Sequence, residues 1–174
     1  MSAKKKRKVA SQWIVVDATV LKGASSTDGG PPRGVACRRA LLAILDICHR
    51  AVVSPALEKE YQDNPSKFGQ KWRVAMMRRN MIVRTLAKET GRARGWMQSP
   101  VFTERERPIA AKDLHLVLAA WEKEAVILSG DDTSRALFAR LADLKDLGWA
   151  RMTGDDVLAW LEGGALPHVV ALGV

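Results

Sequence analysis

The feature that most constrains this chain is the alternation of short apolar runs with longer stretches of helical spacing. WIVVD (13–17), RAVVS (50–54), AVILSG (125–130) and WARMT (149–153) read as strands. Each is too short for a helix, and the first three are too uniformly apolar to leave one face in water, so they predict buried strands. Between them, VACRRALLAILDICHR (35–50) puts Leu41, Ile44, Leu45 and Cys48 on one helical face. PALEKEYQ (55–62) follows Ser54 as N-cap, with Pro55 at the first helical position. AAKDLHLVLAAWEKE (110–124) spaces Leu114, Val117, Leu118 and Trp121 as a helix; TSRALFARLADLKDLG (133–148) reads as a helix closed by Gly148, and GDDVLAWLEGG (154–164) as the last one. Strands alternating with helices of this length predict an α/β fold: a three-layer α/β/α sandwich around a parallel sheet. SSTDGGPPRG (25–34) is a loop by composition.

The segment 64–110 is less regular. QKWRVAMMRRNMIVRTLAKE (70–89) reads as one or two basic helices, with Trp72, Met76 and Met77 turned toward the core, and 91–108 as loop with a short helix. At 174 residues and 47% hydrophobic the chain suits one folded domain, 13–174, behind a disordered basic tail, 1–12. No apolar run reaches the ~18 residues that span a bilayer, and no apolar stretch follows the basic block as in a secretory signal. The expectation is a soluble, cytoplasmic protein with no membrane partner. Cys37 and Cys48, eleven residues apart on one expected helix, would lie ~16 Å apart, too far for a disulfide. His49, His115 and His168 lack zinc-ligand spacing and read as core or surface histidines.

The net charge is +9, which favours a polyanionic partner. The excess is concentrated. Residues 4–8 (KKKRK) supply five positive charges, and residues 71–94 carry eight against the one acid Glu89, so the remainder is net negative. AKKKRKV (3–9) resembles the nuclear import signal of the viral large T antigen type. It reads equally as an added tag, a native import signal that would make the protein nuclear, or an arm that grips phosphates.

In parallel sheets, ligands bind outside the carboxyl ends of the strands, and acids collect there. Asp17 ends the first strand, Glu60 lies in the helix after the second, and Asp131 ends the third, with Asp132 beside it. Asp113 opens the helix that descends to the third strand. That helix falls ~18 Å and the strand returns ~20 Å, so Asp113 and Asp131 are expected at the same level. Taken singly, Asp113 also suits a helix first turn, Glu60 a solvated helix face and Asp131 a turn. Together, four carboxylates on one edge point to Mg²⁺ or Mn²⁺, cations that prefer oxygen ligands and assist attack on phosphorus.

The same residues resemble the PIN-domain ribonucleases, in particular the bacterial toxins of toxin–antitoxin pairs. VVDATVLKGASSTDGGPPRGVACRRAL is similar to that group's opening block, VVSPALEKEY to its second, KDLHLVLAA to its third-acid helix, VILSGDD to its fourth-acid strand end, and RMTGDDVLAWL to its closing strand and helix. The resemblance runs over roughly 13–163 and selects Glu60 rather than Glu58. It implies a sheet of about five strands, one more than the apolar runs supply, so the fifth is expected in or beside 64–110. It also implies a metal-dependent endoribonuclease leaving 5′-phosphate and 3′-hydroxyl ends, with an antitoxin protein as partner and a homodimeric state. Asp17, Glu60, Asp113 and Asp131 would be the catalytic and metal-holding residues, supported by Thr19, Ser129 and Asp132. Thr19 stands where the family has Asn or Ser, and a hydroxyl can fill that role. Arg78, Arg79 and Arg84 are the expected RNA phosphate contacts. A nucleic-acid-binding module with little cleavage is the rival reading. A phosphatase is disfavoured, since Asp17-Ala-Thr-Val lacks the second Asp of that nucleophile block.

Overall fold

A computed structural model of the chain describes residues 10–25, 27–63 and 65–173. The basic run 4–8 lies outside the described residues. Ser11 and Gln12, assigned above to the tail, are tied down: Ser11 Oγ donates to the Cys48 carbonyl at 2.6 Å, and the Gln12 N–H donates to His49 Nδ1 at 3.0 Å.

Among the described residues the chain runs β1 (Trp13–Val16), α1 (Ala18–Gly23), α2 (Pro32–Ile47), β2 (Arg50–Val53), α3 (Pro55–Gln62), α4 (Lys67–Arg78), β3 (Ile82–Arg84), α5 (Gly91–Gln98), α6 (Arg107–Lys123), β4 (Val126–Ser129), α7 (Asp132–Phe138), β5 (Trp149–Arg151) and α8 (Val157–Glu162). The strands form one five-stranded sheet in the order β3-β2-β1-β4-β5, all parallel. In one layer α2 packs against α1, α4 and α8; in the other, α6 crosses β1, β2 and β4 and packs against α5 and α7. The sheet interior is aliphatic throughout: Ile14, Val15, Val16, Ala51, Val52, Ile127 and Leu128 are inaccessible to solvent. The three-layer sandwich follows from the alternation of elements in the sequence.

The fifth strand lies inside 64–110, as expected: β3, whose IVR is too short and too exposed to register as an apolar run. Three local expectations need correction. The stretch 70–89, read as helix, is helical only to Arg78 and then turns into β3. Met77, expected inside, is exposed, whereas Trp72 and Met76 are buried. The helix expected at 133–148 stops at Phe138. Beyond it Phe138, Leu141, Leu144 and Leu147 are all buried at a spacing of three, and the backbone bonds run three back (Leu141 N to Phe138 O, 3.0 Å; Leu144 N to Leu141 O, 3.0 Å; Leu147 N to Leu144 O, 2.9 Å). A period of three belongs to 3-10 turns, not to an α-helix. Gly148 therefore caps no helix; it bridges to Ala171.

His49 is fully buried. Its Nδ1 accepts from Gln12, so Nε2 carries the proton and donates to the Leu161 carbonyl at 3.1 Å. Burial lowers its pKa from the ordinary value. A histidine with a lowered folded pKa contributes stability that is present above the unfolded value of 6.5 and lost as pH falls below it. Urea unfolding from pH 7.5 down to 5 should show that loss, and His49→Gln should flatten it; an unchanged pH slope in the variant would show that His49 does not cause it. Cys37 lies within α2 and Cys48 caps it, both as free thiols.

Candidate active site

The strand order reverses between β1 and β4: the chain moves outward from β1 through β2 to β3, then returns to the other side of β1. Carboxyl strand ends splay apart at such a switch point, leaving a crevice. Asp17 and Ser129 stand at the ends of these two strands. Asp17 caps α1, with Oδ1 accepting from the Thr19 N–H at 3.1 Å and Oδ2 from Thr19 Oγ1 at 2.7 Å. Ser129 Oγ donates to Asp17 Oδ2 at 2.5 Å and accepts from the Asp131 N–H at 2.9 Å. Asp131 caps α7, its Oδ1 accepting from Thr133 N (2.9 Å) and Ser134 N (3.1 Å). Ser134 Oγ in turn donates to Asp113 Oδ2. One chain of hydroxyls and amides thus links Asp17, Ser129, Asp131, Ser134 and Asp113 across the switch point.

Asp113 enters this chain because of where it sits on α6. The helix begins at Arg107, so Asp113 lies beyond the first turn and is not an acid favoured there by the helix dipole. The buried residues of α6 are Ala110, Asp113 and the run Leu116 to Ala120; of the expected face, Val117 and Leu118 are buried, Leu114 is half-buried and only Trp121 turns out. Trp121 is exposed, with its edge to Trp96 and the Arg92 guanidinium over its ring. Burial raises the Asp113 pKa, and the charges of Asp17 and Asp131 raise it further, against Ser134 and Lys112.

Ser134 carries a role that the sequence reading missed. It is fully buried and touches two of the aspartates. Its signal is its place three residues after a strand-end Asp, where a capping carboxylate meets the helix amide.

The fourth acid stands apart. Glu60 Oε2 lies 3.4 Å from His115 Nε2, and His115 Nδ1 lies 3.0 Å from the Lys112 carbonyl. No hydrogen bond among the described residues ties Glu60 to the aspartates. Its helix is fastened by the next residue: the buried Tyr61 hydroxyl donates to the carbonyl of Val16, directly before Asp17. Burial, then the Asp17 charge, hold Tyr61 well above its ordinary pKa, so it stays a donor. Tyr61→Phe leaves that carbonyl without its donor and should cost about 1–3 kcal/mol of stability in urea unfolding. No loss would mean that the bond does not anchor α3.

The other expected residues fall as follows. Thr19 supplies its hydroxyl to Asp17 as anticipated. Asp132 turns away from Asp131, accepting from Thr153 Oγ1 at 2.7 Å beyond β5. Glu58 is gripped by Arg73 (3.0 Å) and Arg84 (2.8 Å). Arg84 is thereby paired. Arg78 and Arg79 end α4 just before β3 begins, at the amino edge of the sheet, and Arg79 donates to the Leu45 carbonyl at 3.3 Å. The topology separates this pair from the aspartates.

Every candidate ligand is a carboxylate oxygen, the donor suited to Mg²⁺ or Mn²⁺. Burial, and then the charges of Asp17 and Asp131, push the Asp113 pKa upward, and a cation would relieve the repulsion. The donor set therefore fits such an ion in kind. As placed, however, no three His, Cys, Asp or Glu side chains among the described residues gather around one point. The aspartate oxygens are turned to hydroxyl and amide donors instead.

Comparison of the chain with protein-family models, with curated proteins and with solved structures finds no match.

Proposed function

We propose that this protein is a metal-dependent endoribonuclease of PIN type. The observation that carries the reading is the meeting of Asp17, Asp113 and Asp131 at the switch point of a parallel sheet, linked through Ser129 and Ser134. Asp17, Asp113 and Asp131 would hold Mg²⁺ or Mn²⁺, with Glu60 beside them. The bound ion supplies a water acidified enough to attack phosphorus and a positive charge for the leaving oxygen. Ser129 and Thr19 fix the Asp17 carboxylate, and Ser134 fixes Asp113. Orienting partners of this kind sustain ligand geometry. Hydrolysis breaks the bond from phosphorus to the 3′ oxygen, giving 5′-phosphate and 3′-hydroxyl ends. The net charge of +9 suits a polyanionic substrate. In a toxin–antitoxin pair, an antitoxin protein would cover this edge.

One observation favours a second reading. The aspartates are satisfied internally and do not close on a common point, as expected of a nucleic-acid-binding module that cuts little. Incubation with a mixed-sequence RNA pool plus Mg²⁺ or Mn²⁺, then with EDTA, separates the two. Metal-dependent fragments with 5′-phosphate ends support the nuclease. RNA retained uncut with every metal supports the module.

A further inference from the structure

Of the arginines expected to hold RNA, Arg78 and Arg79 stand at the edge opposite the aspartates and Arg84 is paired with Glu58, yet another cation stands at the carboxyl edge. Arg33, the second residue of α2, extends across the α1–α2 turn, and its Nη2 donates to the Gly130 carbonyl at 3.4 Å. Gly130 lies between Ser129 and Asp131, and its own N–H donates to Thr19 Oγ1 at 3.4 Å. The Arg33 guanidinium is therefore one residue from each of the strand-end groups that form the aspartate chain.

Three features set Arg33 apart. First, it pairs with no carboxylate among the described residues, although acids surround this edge. Arg84 and Arg151, which end β3 and β5 at the same edge, each have one. Its one hydrogen bond among the described residues is long and to a neutral carbonyl, so most of its five N–H donors remain free for a ligand. Second, a cation in the first turn of a helix opposes the helix dipole, so its position is not one that helix stability selects. Third, the close approach depends on glycines. A Cβ on Gly130 would stand 2.6 Å from Arg33 Nη2, and one on Gly34 would stand 3.0 Å from the Gly23 carbonyl where α2 meets α1.

We propose that Arg33 is the substrate-binding arginine of this site, gripping an RNA phosphate beside the aspartates. The proposal rests on the nuclease reading and gives that edge a cation not already held by a carboxylate. A planar guanidinium forks onto two phosphate oxygens. It balances the negative edge that would otherwise repel the backbone, and it places the phosphate over the switch point.

The test uses the full chain and a fluorescein-labelled, mixed-sequence single-stranded RNA. Binding is measured in EDTA over a salt series, and cleavage under single turnover with Mn²⁺. Arg33→Ala should melt like the wild type, bind more weakly with a salt slope shallower by about 0.7, and cleave at least about 10-fold more slowly. Arg33→Lys, which keeps the charge but not the fork, should recover the salt slope and only part of the rate. Gly130→Ala, which pushes the guanidinium off its perch, should shift binding and rate in the same direction as Arg33→Ala. Wild-type cleavage with Arg33→Ala matching it in rate and salt slope would overturn the role of Arg33 and leave the nuclease standing. Absence of cleavage by the wild type would overturn both.

Discussion

Replacing Asp113 with Asn is expected to slow RNA cleavage by more than about 100-fold while leaving the protein at least as stable as before. The two effects have one cause. Asp113 is buried on α6 and faces the charges of Asp17 and Asp131. Its folded pKa lies above the unfolded value, so between the two the native state binds more protons than the unfolded chain. Stability therefore falls as pH rises through that interval and stays lower at neutral pH. Asparagine removes the charge that a cation needs and the penalty together, and its carbonyl oxygen can still accept from Ser134. Melting curves at pH 7 and single-turnover cleavage read the two halves independently. A variant that cleaves normally removes Asp113 from the site. A variant that melts well below the wild type shows that the carboxylate is structural.

Trp149→Ala is expected to cost about 3–5 kcal/mol, the largest stability effect of any change considered. Trp149 opens β5 with no solvent exposure and stacks on Phe138, centroids 6.1 Å apart at 29°. Phe138 meets Phe102 edge-on at 6.2 Å. This row clamps the end of α7, the helix that Asp131 caps and that carries Ser134. Loosening it should therefore reach the aspartates as well as the core. Trp149→Phe should cost far less, because the indole N–H is buried without a hydrogen-bond partner among the described residues and phenylalanine has no such donor to strand. Equal losses in the two variants under urea denaturation would mean that ring stacking is not what holds α7.

The layers of the fold were legible because apolar runs and helical spacing alternate cleanly, and the edge that collects the acids followed from parallel strands alone. Asp17 and Asp131 could be placed because both end strands. Asp113 could be placed by matching the length of a helix against the strand that follows. What spacing could not show was direction. The α6 face read from Leu114 to Trp121 holds at Val117 and Leu118 but misses Ala110, Ala119 and Ala120, because alanines carry little hydrophobic signal. β3 was hidden because an exposed edge strand of three residues needs no apolar run. Charge density drew attention to Arg78 and Arg79, yet density along the sequence says nothing of which end of the sheet a residue reaches. Arg33, a single cation beside a Gly-Gly-Pro-Pro loop, gave no such signal; Ser134 gave only its place three residues after a strand-end Asp.

The central claim is that the aspartates at the switch point take up a divalent cation. Mn²⁺ titration followed by water-proton relaxation measures this directly, without RNA. The wild type should show an enhancement that Mg²⁺ competes away and that Asp17→Asn and Asp131→Asn abolish. An enhancement of equal size in those variants, or none in the wild type at millimolar Mn²⁺, would contradict the assignment and leave the carboxyl edge as a hydrogen-bonded brace.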